Sequence, residues 1–153
     1  MWNEQIIMML LEGIKDTLYM TLTSTLIGYV IGLPMGILLT VTDKDGIHPN
    51  TAVYKVLDVI ANLIRSVPFL ILLIVLIPFT RFLIGRSYGP TATIVPLVIA
   101  AAPYIARMVE SSLKEVDAGL IEAARSMGAS NFTIVTKVML VEARTSLIVG
   151  ATI

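Results

Sequence analysis

The sequence predicts an all-α membrane protein, a transmembrane helix bundle that carries one helix-turn-helix in a polar loop. Three observations predict it. Of 153 residues, 56% are apolar and 14% charged, against about 45–50% and about 25% in soluble domains, so lipid is the expected solvent. Residues 17–42 contain no charged side chain, and about 20 apolar residues suffice for a helix to cross the hydrocarbon. Between Arg107 and Arg144 apolar residues recur at helical spacing among charges, the pattern of amphipathic helices.

Composition also excludes several function classes. Lys and Arg total 11 and Asp and Glu total 11, so there is no basic field to hold nucleic acid. Cysteine is absent, which removes disulfides, thiolate metal sites and cysteine nucleophiles. The single histidine, His48, does not make a zinc or haem site, because such sites draw on several ligands close together.

The first span is expected at about 17–42 and is read as retained rather than cleaved. Glu4, Glu12 and Asp16 offset Lys15 where a signal peptide would begin basic. The second stretch can be drawn from Val56 to Phe79 with Asp58 and Arg65 inside it, or from Ser66 to Thr80 without them. It is placed at about 57–80. The third runs from Thr91 to Ala106, between Arg86 and Arg107, and Tyr88, Gly89 and Pro90 extend it to about 88–106. The short run Arg81–Gly89 makes the second and third spans antiparallel neighbours. Lys and Arg in loops favour the cytoplasmic side. Lys44, Lys55, Arg107, Lys114, Arg125, Lys137 and Arg144 lie on one side, against Lys15, Arg81 and Arg86 on the other. The amino terminus is therefore expected outside, as a periplasmic segment 1–16, and the loop at about 107–144 inside.

Within the spans, Gly28, Gly32 and Gly36 recur every four residues and align on one helix face, where they let another backbone approach closely. Small residues are also tolerated in any apolar helix. Pro34 removes one backbone hydrogen bond from the same helix and is expected to bend it. Asp58, Asn62 and Arg65, spaced four and three apart and followed by Ser66 and Pro68, form a polar stripe. A charge at mid-bilayer costs roughly 2.5–3.5 kcal/mol, so it faces a bundle interior, a wet cavity or the interface. Two readings stand: Arg65 is a pathway-lining or gating group, or it lies near the cytoplasmic end and reaches the headgroups through its long stem.

In the polar loop, Leu120, Ala124 and Met127 stack at four and three, with Glu122 and Arg125 on the other side. Asp117 is the expected N-cap of this short helix, and Gly128 the left-handed residue that ends it. Ser130 offers a second N-cap, followed by a fresh stripe of Phe132, Val135 and Met139. Scattered, offset charges argue against DNA binding. Docking to another protein and an interfacial helix covering the bundle end both remain.

The run Glu122, Ala123, Ala124, with Gly128 after three more positions, resembles the EAA loop of ABC importer permeases. The stretches RSVPFLILLIVLIPFTR (Arg65 to Arg81) and APYIARMVE (Ala102 to Glu110) resemble methionine-type importer permeases, and the likeness covers nearly the whole chain. It implies the type I importer permease fold, an ABC transmembrane type-1 domain over residues 17–153. Gly119, Glu122, Ala123, Ala124 and Gly128 would form a cytoplasmic coupling helix that docks on a separate ATPase subunit, with Glu122 pairing a basic or polar group there. The alanines would permit close approach. Arg65, Ser66 and Pro68 match a family stretch to which the likeness assigns no certain role. The implied assembly holds two permeases, two ATPases and a periplasmic or lipid-anchored substrate-binding protein, in the bacterial inner membrane. No G-x-x-x-x-G-K-[ST] run occurs in the chain, so ATP and Mg are expected on the partner and the permease itself is expected to be neither an enzyme nor a cofactor carrier.

Three departures qualify the likeness. Family members continue into further spans beyond the coupling loop, so the domain is expected to be incomplete at its carboxyl end. Asp117 and Val141 stand where the family usually has proline, and Arg144 and Thr145 differ from the residues usual after the motif. The competing reading is a truncated, non-transporting membrane remnant or interaction protein of the same family. An ion-coupled secondary transporter would want buried carboxylates, for which Asp58 is the sequence's candidate. A membrane enzyme would need a nucleophile, base and orienting group that these spans do not supply.

Overall fold

The computed structural model describes residues 3–153, and among them there is helix but no strand. The chain forms α1 (Glu4–Thr42), α2 (Thr51–Ser66), α3 (Phe69–Val75), α4 (Ile77–Ile84), α5 (Pro90–Lys114) and α6 (Ala118–Ser126). Then α7 (Asn131–Thr133) passes through a π-helical segment (Ile134–Met139) into α8 (Leu140–Glu142) and α9 (Arg144–Ala151). Helices α1 and α5 are long and apolar enough to cross a membrane, and the bent pair α2–α3 supplies a third candidate.

The glycine series in α1 meets α5. A Cβ on Gly32 would lie 2.7 Å from the Ala102 carbonyl oxygen and 2.8 Å from Ile105 Cβ, and one on Gly36 would lie 2.6 Å from both the Ala106 oxygen and Val109 Cβ. Gly28 faces Ala101, Ala102 and Ile105 more loosely. The contacts advance in the same direction along both helices, so α1 and α5 run parallel. Buried Ser24 and Thr40 continue the four-residue series at either end. Their hydroxyls donate within the helix, Ser24 to the Met20 carbonyl at 2.6 Å and Thr40 to that of Gly36 at 2.9 Å, so neither demands a partner across the seam. Outward from it, Leu22, Leu26, Val30 and Phe82 are exposed, as surfaces solvated by lipid tails are.

Several expected boundaries move. Helix α1 begins at Glu4, with no break between residues 4–16 and the span expected at 17–42. At 39 residues it is about 58 Å long, well beyond the ~30 Å of hydrocarbon. It continues through Pro34. The second stretch is not one helix: α2 and α3 meet at 107°. Proline disfavours helical backbone in the residue before it, and Val67 is extended at φ −84°, ψ 125°. Helix α5 does not stop before Arg107 but runs to Lys114, because Arg107, Glu110 and Lys114 pair with one another at helical spacing and so support the helix instead of ending it.

At the carboxyl ends of α1 and α5 a second core gathers Val109, Leu113, Ala124, Ile134 and Met139. The stripe expected at Phe132, Val135 and Met139 is displaced, since Phe132 is 78% exposed and the wholly buried residue is Ile134. The π-helical turn is the reason. With i→i−5 bonding, as in Leu140 N–H to the Val135 carbonyl, residues five apart share a face, which brings Ile134 and Met139 inward together.

Substituting Gly32 or Gly36 with Val is expected to lower the thermal midpoint of the detergent-solubilised protein by an amount matching about 1–3 kcal/mol of overpacking. Gly13→Ala, which meets nothing within 4 Å, is expected to leave the midpoint unchanged or raise it slightly. Thermal unfolding of the three variants checks this, and equal midpoints would show that the seam is not close-packed.

Candidate functional site

Helix α6 carries the expected coupling residues. Asp117 caps it, its carboxylate accepting from Gly119 N–H at 2.6 Å, and a Cβ on Gly119 would lie only 2.8 Å from the same oxygen. Gly128 follows the helix at φ +81°, a conformation glycine adopts without steric cost. Ser130 then caps α7 by accepting from Thr133 N–H. Of the motif, Ala124 is buried in the second core, whereas Glu122, Ala123 and Gly128 are exposed. The stripe expected at Leu120, Ala124 and Met127 is thus split. Ile121 and Ala124 face the bundle, while Leu120 and Met127 are exposed together with Ala123. These three are spaced three and four apart, so they form one outward stripe.

Arg125 fixes the orientation of α6 by donating to the Ile47 carbonyl at 2.8 Å, which ties it to the loop after α1. Between that loop and α6 lies a cavity of about 670 Å³ lined by Asp43, Asp45, Lys114, Glu122 and Arg125 among others. Among the described residues no cation lies within ion-pair distance of Glu122.

A ladder of charge runs upward from this end. Asp43 pairs with Lys114 at 2.7 Å, Lys114 with Glu110 at 2.8 Å, Glu110 with Arg107 at 2.7 Å, and Arg107 with Asp58 on α2. Asn62 accepts from Arg107 at 3.1 Å, and the Tyr54 hydroxyl donates to Glu110 at 3.4 Å. The order of these contacts makes α2 antiparallel to α5. Glu110 is only 5% exposed, a charge tolerated because two cations share it. It is a more deeply buried carboxylate than Asp58, which the sequence alone had singled out. Its double pairing marks it as structural rather than as a free proton site. The pair spacing along α5 was visible in the sequence; the partners in the loop after α1 and on α2, far off in the chain, were not.

The residues expected at the pathway separate. Ser66 and Pro68 build the break between α2 and α3, Ser66 Oγ donating back to the Asn62 carbonyl at 2.6 Å. Arg65 instead lines a cavity of about 380 Å³ with Tyr104, Arg107, Ser111, Ser112 and Val149. Arg65 stands fourteen residues into α2, about 21 Å from its start.

Residues 7–153 match the family described as binding-protein-dependent transport system inner membrane component. The chain belongs to that family. It is 50% identical to the D-methionine transport system permease protein MetI of Salmonella typhimurium over 99% of its own length and 70% of the relative's. The MetI of Escherichia coli K12 is equally 50% identical over the same shares. A solved structure of the MetNI methionine ABC transporter in inward-facing conformations superposes with a TM-score of 0.95 at 49% identity, covering 99% of this chain and 70% of that one. Membership makes the chain a membrane component of a transport system and establishes the type I importer permease fold.

The Lys114 ammonium holds the Asp43 carboxyl below the usual carboxylate range, chiefly by a direct hydrogen bond. A lowered folded value means that the pair stabilises fully above the unfolded value of about 4 and loses its effect as pH falls through the folded one. Asp43→Asn is therefore expected to lower the thermal midpoint at pH 7 by a few degrees at most, the pair being partly exposed, with the gap to wild type closing below about pH 4. A gap that stays constant from pH 7 to pH 3 would remove the pair from the account.

Proposed function

We propose that the chain is the transmembrane permease subunit of an ATP-binding-cassette importer that moves methionine across the cytoplasmic membrane. A separate ATPase subunit, which holds ATP and Mg, drives it by docking on α6. A second copy of the permease completes the pathway, and an external substrate-binding protein delivers the amino acid. The amino terminus lies outside and α6 in the cytoplasm, as the seven-to-three bias of Lys and Arg supports.

The observation that carries the reading is the outward stripe of Leu120, Ala123 and Met127 on a capped helix fixed from behind by Ala124 and Arg125. An apolar stripe with a carboxylate at its edge that pairs with no cation among the described residues is suited to a partner's groove. The small Ala123 permits close approach, and Glu122 offers a charge for a basic group on the ATPase. Gly28, Gly32 and Gly36 serve helix packing. The methionine assignment draws on the MetI relatives and the MetNI transporter.

The position of Arg65 supports the pathway reading over the headgroup one. It opens on a cavity whose lining includes the hydroxyl-bearing Tyr104, Ser111, Ser112 and Ser146. Ser66 and Pro68 contribute the change of direction beside it.

Vesicles containing this chain, the ATPase and the binding protein are expected to accumulate labelled methionine when supplied with ATP; no ATP-dependent accumulation would sink the importer reading. Glu122→Lys and Gly128→Val are each expected to reduce co-purification of the ATPase by tenfold or more, about 1.4 kcal/mol, the second because a β-branched side chain resists φ +81°. Undiminished complex formation in both would show that docking lies elsewhere. Arg65→Leu is expected to abolish uptake while membrane insertion and ATPase binding persist, and normal uptake would return Arg65 to the role of an interfacial anchor.

A further inference from the structure

Helix α2 is the least anchored long helix of the bundle. Its single buried residue is Ala61, whereas α5 buries residues along its whole length. What holds α2 to α5 is largely polar: Arg107 donates to both Asp58 and Asn62, and Tyr54 donates to Glu110. At its far end α2 stops at an extended residue before Pro68, with a 107° change of direction. At its near end Asn50 caps it through Val53 N–H, after a loop that α6 itself grips through Arg125 and Ile47.

A helix with little apolar burial, a charged clasp at Arg107 beside the longer Tyr54–Glu110 bond, and a break at each end has the anatomy of a rigid body between hinges. Arg107 is suited to be the attachment. Its guanidinium is a rigid fork of donors, and Glu110 keeps hold of it from the α5 side at 2.7 Å, so its charge stays compensated when the α2 acceptors depart. The clasp can therefore open without stranding Arg107, and Asp58, whose side chain is 32% exposed, is left partly solvated, which moderates the term that makes most buried ion pairs costly to break.

We propose that Arg107 is a positioning residue for transport. It clasps α2 through Asp58 and Asn62 in the inward-facing arrangement that this fold matches, and its release lets α2, with Arg65, move as one body between the loop before Asn50 and the break at Val67–Pro68. The proposal rests on the permease reading given above and deepens it. Arg107 touches no substrate in this role; it sets where Arg65 stands.

The chain contains no cysteine, so spin labels can be placed at Val59 on α2 and Ser111 on α5, both exposed, without removing native thiols. The shortest distance in pulsed electron resonance reports the pair within one subunit. In lipid nanodiscs the labelled chain, alone or with its ATPase, is expected to show one α2–α5 distance without nucleotide. A longer one is expected when the complex is trapped with ATP and vanadate. Asp58→Asn combined with Asn62→Ala is expected to populate the longer distance without nucleotide, shifting the ratio by about tenfold, and to lower methionine accumulated per ATP hydrolysed. Each single variant is expected to shift the ratio the same way by less, and Asp58→Glu, which keeps the charge, to restore the wild-type ratio. A distance unaltered by the variants and by trapping overturns the proposal, as does an altered distance with undiminished uptake per ATP. Failure of the wild-type complex to form or transport would instead strike the permease reading, while the measurement on the chain alone still judges the clasp.

Discussion

The close approach of α1 to α5 is the contact on which the rest depends. In lipid, apolar side chains gain nothing by leaving their solvent for one another, so helices associate through tight packing and polar ties. Gly32 and Gly36 supply the first. With hydrogen in place of a side chain, the α1 backbone reaches the Ala102 and Ala106 carbonyls and the flank of Val109, and a whole face of α5 is buried. Once these two long helices lie parallel, their carboxyl ends fall together, and that end becomes the platform for everything polar. Ala124 seats α6 on it, Ile134 and Met139 seat the π-helical segment, and Lys114 reaches Asp43 across it.

The charge ladder is the second organising element, and its energetics lie between two limits. Exposed pairs contribute about 0–1 kcal/mol, while breaking a buried one costs about 3–5 kcal/mol. Glu110 approaches the buried limit and Lys114, with a side chain 42% exposed, the other. The ladder is therefore firm at its α5 centre and looser at both extremities, toward the loop after α1 and toward α2. The ladder thereby connects the α6 end of the bundle, at Asp43 and Lys114, with α2, the helix that carries Arg65.

The sequence foretold the features set by local chemistry. A four-residue repeat of glycine, Asp117 before an amphipathic run and a glycine at position 128 each state a local requirement, and each is met in the structure by a close contact, a side-chain cap or a positive φ. Features decided by distant partners were illegible. Arg107 reads as the end of a span because its partner Asp58 lies on another helix, out of sight in the local sequence. Phe132 looked buried because a regular period was assumed, and one wider turn moved Ile134 into its place. Leu120 and Met127 looked like the inner face of α6 for a similar reason. A nine-residue helix has too few turns for apolar periodicity to say which of two stripes meets the core. The EAA likeness picked out α6, but which of its alanines turns outward needed coordinates.

The break at Val67–Pro68 has a consequence for the surroundings of the chain. A regular helix satisfies its own backbone and is indifferent to the dielectric around it. Here Pro68 has no N–H to give and Val67 N–H reaches the Ile64 carbonyl only at 3.4 Å, so the end of α2 leans on Ser66 Oγ, which donates to the Asn62 and Leu63 carbonyls, in place of part of the helical ladder. Hydrocarbon has no donors to lend, and irregular backbone at membrane depth is tolerated where it meets protein or water. Wherever the α2–α3 corner lies at membrane depth, the backbone around Ser66 calls for protein or water beside it. The regular outer faces of α1 and α4, with Leu26, Val30 and Phe82 exposed, make no such call.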